Sequence, residues 1–254
     1  MTSRVDINAD VGEHDGPPPA AALALLHVIT SANVSCGVHA GDLTGIRLTI
    51  AEAAASGVQV GAHPSYPDRD GFGRRVLPLT PDQVTDVVAH QLDAFREIAR
   101  EEGALPAHVK PHGALYTHAC RDRATADALV AAVVAIDRTL ALYAPHGSAL
   151  AQAGQAAGLR VVAEGFLDRG YEDDGALTPR GEPGAVIADP RAAGQRAVEW
   201  VRTGRVTTRS SASLALPVET LCIHGDTDDA ALIARTVRDA LEAAGVRVLP
   251  ALSR

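Results

Sequence analysis

The feature that most restricts this chain is an alternation carried to its end. Short runs rich in β-branched residues, bounded by Gly, Pro, Asn or Asp, exchange with Ala-, Leu- and Arg-rich stretches of helical length. Parallel strands need a crossover connection and a helix supplies it, so the pattern predicts βαβ units around a parallel sheet. Strands are expected over Val5–Asp10, Ile29–Ser35, Val58–His63, Ala107–Lys110, Thr139–Ala144, Leu159–Glu164 and Thr220–His224. Helices are expected over Ala20–His27, Thr44–Ser56, Pro81–Glu102, Arg123–Ile136, Ser148–Ala157, Pro190–Thr203 and Asp228–Ala243. Thr80-Pro81 reads as a cap followed by a first-turn proline, and Gly57, Gly103, Gly158, Gly204 and Gly245 stand where helices should stop. Gly165 to Pro190 has no helical stripe and is expected to be a long loop over the carboxyl edge of the sheet. About seven units in 254 residues suit one barrel-like α/β domain over residues 1–254.

Composition narrows the chemistry. Aromatic residues are 3% and hydrophobic residues 46% of the chain, so Ala, Val, Leu and Ile must pack the core. A formal net charge of -8 has the wrong sign for neutralising phosphates, which discounts nucleic acid as a partner. The start, MTSRVDINAD, lacks an apolar signal core and no later apolar run would span a bilayer, so a cytoplasmic protein with no membrane partner is expected. Cys36, Cys120 and Cys222 are far apart and leave one over from any pairing, which fits a reducing compartment.

Ligands of parallel α/β folds bind beyond the carboxyl ends of the strands. Here those ends carry Asn8 and Asp10, Asn33 followed by His39 and Asp42, then His63, Lys110, His112, Glu164, His224 and Asp226. Alternation turns Asp6, Asn8 and Asp10 to one strand face, with Asp10 nearest the mouth. Lys110 is the sole lysine among 23 Lys and Arg residues, so where arginine supplies every other cation an ammonium with a tunable pKa is retained. His39, His63, His112 and His224, with Asp10 and Asp226, suit either a divalent metal or acid–base and oxyanion chemistry, and each histidine alone could be a hydrogen-bonded strand cap. No His-Glu-x-x-His or cysteine-based zinc pattern occurs; if a metal binds, Asp10, His39 and His63 are the expected ligands.

The segment from His63 to Arg75 and the one from Asp168 to Arg180 are rich in specific polar groups. Arg74, Tyr171 and Arg180 are the residues there expected to touch a ligand, an arginine being suited to clamp a carboxylate. No Gly-x-x-x-x-Gly-Lys-[Ser/Thr] loop, no Gly-x-Gly-x-x-Gly after the first strand and no Gly-x-Ser-x-Gly is present, so a nucleotide would have to be held in another way and a serine hydrolase is disfavoured.

In order along the chain, DINADVGE, SANVSCGVHAGD, GAHPSYPDRDGFGR, HVKPHGALY, FLDRGYEDDGALTPR and CIHGD resemble the motifs of the LamB/YcsF family. The resemblance covers essentially the whole chain; Val38 stands where Phe is usual, and the segment from Glu13 to Ala22 is short and proline-rich. It implies a variant (β/α) barrel similar to the glycoside hydrolase/deacetylase superfamily. It further implies a share in the ATP-dependent opening of 5-oxo-L-proline to L-glutamate with partner subunits B and C. On that reading Asp10, Lys110 and His112 are catalytic; Asn8, Asn33, His39, His63, Arg74, Tyr171, Arg180, His224 and Asp226 bind substrate. ATP is the co-substrate. The alternatives are a stand-alone metal-dependent amidase or deacetylase, and a non-catalytic lactam- or sugar-binding regulatory subunit.

Overall fold

The computed structural model describes residues 4–179, 181–224 and 229–252. In chain order its elements are β1 (Arg4–Val11), α1 (Ala20–Leu26), β2 (Ser31–Ser35), α2 (Leu43–Ala55), β3 (Gln59–His63), α3 (Pro81–Glu101), β4 (His108–Val109), α4 (Gly113–Ala119), α5 (Arg123–Ile136), β5 (Ala141–Ala144), α6 (Ala149–Ala156) and β6 (Val161–Phe166). There follow α7 (Pro190–Thr203), β7 (Arg205–Thr207), β8 (Ser213–Ala215), β9 (Thr220–His224), α8 (Ala230–Ala243) and β10 (Arg247–Val248). Strands β1 to β6 and β9 pair in parallel and in order, and β9 returns to β1, closing a seven-stranded barrel. Each expected strand is one of the seven.

Local chemistry sets the helix ends. Thr80 and Gln83 form a reciprocal capping box around Pro81, and Asp42, Asp122, Ser148 and Asp189 cap α2, α5, α6 and α7 with side-chain oxygens. The five glycines expected to stop helices all adopt left-handed φ, between 65° and 79°. On α3, Val84, Val88, Leu92, Phe95 and Ala99 recur at helical spacing and are buried, so one stripe faces the barrel.

Four elements depart from the expected pattern. The seven-residue α4 hides inside a motif and has no side-chain cap at His112. The β7–β8 hairpin is antiparallel and outside the barrel, where a three-residue strand is too short to show alternation. The two-residue β10 pairs beside the start of β1 through Arg4–Arg247 and Val5–Val248. The expected loop begins at Leu167, because Gly165 and Phe166 complete β6. The expected first residue of the last helix, Asp228, lies outside the described residues.

The barrel interior is polar and layered, because alternate residues of each strand point inward. At its base the carboxylate of Asp6 accepts from Thr30, Ser31 and Thr220, at 2.5, 2.8 and 2.5 Å. Above it Asn33 donates to Asn8 at 2.7 Å, and His108 Nε2 donates to Asn33 at 2.8 Å. The His108 ring stacks on Tyr143 at 4.1 Å and fills the space beside Gly61, where a Cβ would stand 2.2 Å from Nε2. Burial holds His108 neutral, with a pKa near 3.

Gly61→Ala is therefore expected to lower stability by about 1–3 kcal/mol, the usual scale of core overpacking. Urea denaturation of both proteins checks this; unchanged stability would mean that the His108 ring is free to move aside.

Candidate active site

The third layer opens into the mouth. Asp10 is the penultimate residue of β1, Lys110 directly follows β4, His224 ends β9, and Glu164 projects from β6. Lys110 is 2% exposed, and its Nζ donates to Asp10 Oδ1 at 2.5 Å and to Cys222 Sγ at 3.1 Å, with Glu164 Oε1 at 3.6 Å. Burial opposes the ammonium charge, yet Asp10 and Glu164 hold its pKa well above the lysine value. For Asp10, too, burial is outweighed, by His63 and Lys110, so it stays ionised far below the usual carboxylate range. Asn33 donates to the same Oδ1 at 2.9 Å, which leaves Oδ2 facing His63 Nε2 at 3.4 Å. Tyr116 donates to Glu164 Oε2 at 2.6 Å and fixes that carboxylate from α4.

Opposite this lysine lies a histidine group. Gly12, at φ 71°, turns the chain after β1 and delivers Glu13 over the barrel. Glu13 Oε1 lies 3.0 Å from His39 Nε2, 3.3 Å from His112 Nδ1 and 3.9 Å from His63 Nε2. Burial would raise the Glu13 pKa, but hydrogen bonds from His112 and His39 hold it well below the carboxylate range. Burial lowers the His39 pKa to about 4. The donor atoms of Glu13, His39, His63 and His112 all lie within 4.8 Å of one another, the composition and closeness of a metal site.

A cavity of about 910 Å³ covers both groups and is lined by Asp10, Glu13, His63, Lys110, His112 and His224 on its floor, with Arg74, His146 and Tyr171 among its walls. A smaller cavity of about 420 Å³ by the start of β1 has Arg4 as its one charged lining residue.

The structure brings Asp10, His63, Arg74, Lys110, His112, Tyr171 and His224 to one cavity and separates others from it. Asn8 and Asn33, expected to bind substrate, are fully buried beneath the floor and spend their side chains on each other, Thr220, His108 and Asp10. His39 is buried behind Glu13, outside the cavity lining. The Tyr171 hydroxyl accepts from the Phe166 N–H at 2.9 Å. The metal set expected from sequence, Asp10 with His39 and His63, is not the group that assembles: Asp10 is claimed by Lys110, and Glu13 with His112 takes its place. Arg180 and Asp226 lie outside the described residues. Sequence reading missed Glu13, whose only signal is its place after the Asp-Val-Gly turn, and Asp168, which sits in a loop.

Asp168, 1% exposed, accepts from His224 Nδ1 at 2.9 Å and from the His224 backbone N–H at 3.1 Å. Burial pulls the His224 pKa down, but the charge and hydrogen bond of Asp168 raise it overall above 6.5. A raised histidine stabilises the fold fully below the ordinary value and loses that contribution as pH climbs through the raised one. Melting temperature is therefore expected to fall as pH rises above about 6.5, and less steeply in Asp168→Asn. Parallel melting curves across that range would remove the ion pair from the account.

The model of the LamB/YcsF family matches residues 5–254. A 5-oxoprolinase subunit from Methylococcus capsulatus is 49% identical over 249 residues, 98% of this chain and 96% of that protein. The crystal structure of the lactam utilization protein from Thermus thermophilus superposes with a TM-score of 0.90 at 43% identity, covering 97% of this chain and 99% of that one. A T48 deacetylase solved with substrate superposes at a TM-score of 0.50 and 15% identity over 98% of this chain and 88% of that chain, a likeness of fold alone.

Proposed function

We propose that this chain, which belongs to the LamB/YcsF family, is the barrel subunit of an ATP-dependent 5-oxoprolinase and opens the lactam of 5-oxo-L-proline to L-glutamate. The observation that carries the reading is the Lys110 ammonium, held charged by Asp10 on the cavity floor. The relatives' name supports it, and the word subunit in that name supports an assembly with subunits B and C. Residues 1–254 act as one domain. Among the described residues no helix is long and apolar enough to cross a membrane, and dependence on ATP supports a cytoplasmic enzyme.

The chemistry explains the coupling. An unstrained lactam is a resonance-stabilised amide, and phosphoryl transfer from ATP to its carbonyl oxygen gives an imidate phosphate and ADP. Water then adds to the former carbonyl carbon. If the ring nitrogen of the adduct is protonated, the C–N bond breaks and the γ-carboxyl phosphate that results is hydrolysed to glutamate and phosphate. If it is not, phosphate leaves first, the lactam is restored and ATP is wasted.

Lys110 stands ready to neutralise oxygen charge, the kind of preorganised donor that contributes most to such reactions. Asp10 Oδ2, not occupied by Lys110, accepts the water proton. His224, with Nδ1 turned onto Asp168, presents Nε2 as the proton donor to the ring nitrogen. Arg74 holds the substrate carboxylate from the wall; Arg180 remains a candidate for the same duty, and Asp226 for a contact elsewhere on the substrate.

The test supplies 5-oxo-L-proline and ATP to the purified chain with and without subunits B and C, following glutamate and ADP. Glutamate is expected only from the full mixture. Glutamate from the chain alone without ATP would establish the stand-alone amidase instead, and ligand binding without turnover in the full mixture would establish a regulatory subunit. In the full mixture, His224→Asn is expected to raise the ADP formed per glutamate several-fold, and an unchanged ratio would exclude His224 as the nitrogen's proton donor.

A further inference from the structure

The histidine group poses a hydrogen-bonding problem. His63 Nδ1 lies 2.7 Å from the Lys110 carbonyl oxygen and His112 Nε2 lies 2.8 Å from the Phe72 carbonyl oxygen. A carbonyl oxygen only accepts, so both nitrogens carry the ring proton. With both rings neutral, the other two nitrogens, His63 Nε2 and His112 Nδ1, present bare lone pairs to each other at 2.9 Å. Two lone pairs at that distance repel unless a positive charge, a proton or a metal ion, sits between them.

Three donor atoms form the triangle into which it would fit. Its edges are 2.9 Å from His63 Nε2 to His112 Nδ1, 3.3 Å from His112 Nδ1 to Glu13 Oε1, and 3.9 Å from His63 Nε2 to Glu13 Oε1. Ligands about 2.0–2.1 Å from a tetrahedral zinc ion are about 3.3 Å apart, so the triangle has the size a metal requires. Charge agrees with geometry. Among the described residues, Lys110 pairs with Asp10 and Glu164, while the ion-pair partners of Glu13 are the three histidines alone.

The surroundings are those of a built site. Ligating histidines characteristically donate their second nitrogen to a carbonyl or carboxylate, and both rings do so. Phe72 holds its carbonyl toward His112 at φ 53°, a left-handed conformation that is costly for a non-glycine residue. His39 donates from Nε2 to Glu13 at 3.0 Å and stacks on the His112 ring at 3.9 Å, yet does not line the cavity, so it orients the carboxylate from behind.

We infer that Glu13 Oε1, His63 Nε2 and His112 Nδ1 form a binding site for one divalent cation of the zinc class, with His39 as the positioning residue and the remaining coordination position open to the cavity. The site does not depend on the lactam reading, since it follows from the protein's own donors.

The test is metal uptake by the full chain, stripped with chelator, dialysed against Zn²⁺ and analysed for metal content, with its melting temperature followed against Zn²⁺ and Mg²⁺. Wild type is expected to bind one Zn²⁺ per chain and to melt higher with Zn²⁺ but not with Mg²⁺. Glu13→Gln and His112→Gln should bind at least roughly a hundredfold more weakly, and His39→Gln should keep one site with affinity about 10- to 100-fold lower, the scale of a lost supporting hydrogen bond. A wild-type chain that takes up no Zn²⁺ and melts unchanged would overturn the inference, whatever the variants do. Glu13→Gln binding as tightly as wild type, with the same melting curve when stripped, would overturn the ligand set.

Discussion

Keeping one ammonium charged inside a closed barrel is the constraint around which the interior is arranged. A buried charge is tolerated only when its partners and their remaining hydrogen-bonding positions are satisfied. Lys110 meets that condition through Asp10, with Glu164 and Cys222 beside it, and both carboxylates are held by another group. Asp10 is held by Asn33, Asn33 by His108, and the His108 ring by Tyr143 and the space left at Gly61. This is why an enzyme-like mouth stands on an asparagine and histidine column where an apolar core would pack more easily. The column sets the height and angle of one carboxylate and one amine.

The site has two poles joined by Asp10. On one side the lysine offers fixed positive charge; on the other, Glu13 gathers three histidines, of which His63 and His112 have their second nitrogens tied to backbone carbonyls. His63 spans the gap, facing Asp10 at 3.4 Å and His112 at 2.9 Å, so the two poles cannot be rearranged independently. The third element, His224 on Asp168, enters from the last barrel strand with Phe166 stacked on its ring at 5.4 Å. A large cavity with anchored cation, carboxylate and imidazole at its floor suits a reaction in which oxygen charge and nitrogen protonation must be managed separately.

Much of this was legible in the sequence because strand alternation is a strong signal. All seven barrel strands follow from it, and closing the barrel then brings Asp10, His63, Lys110, His112 and His224 together without further information. Alternation gives the face a residue points to but not its height, and that is why Asn8 and Asn33 share the face of Asp10 yet lie beneath the floor. Glu13 and Asp168 were hidden for another reason: each sits past a strand end, and its position depends on a turn or a long loop. The histidines were visible as a group, but their division into ligands and a supporting donor needed the carbonyls of Lys110 and Phe72, which no sequence pattern marks. The β7–β8 hairpin and β10 escaped because two or three residues do not make a period.

The central claim is that the Lys110–Asp10 pair performs chemistry, beyond filling the barrel. Replacing both partners by neutral groups of similar shape, as Asp10→Asn with Lys110→Met, removes the charges without leaving either one buried alone. The decisive measurement is glutamate formation by this double variant with subunits B and C, ATP and 5-oxo-L-proline, beside its melting curve. The double variant is expected to melt cooperatively as wild type does and to lose turnover by roughly a hundredfold or more, the scale of a lost charge-stabilising donor. A folded double variant with near-normal turnover would contradict it.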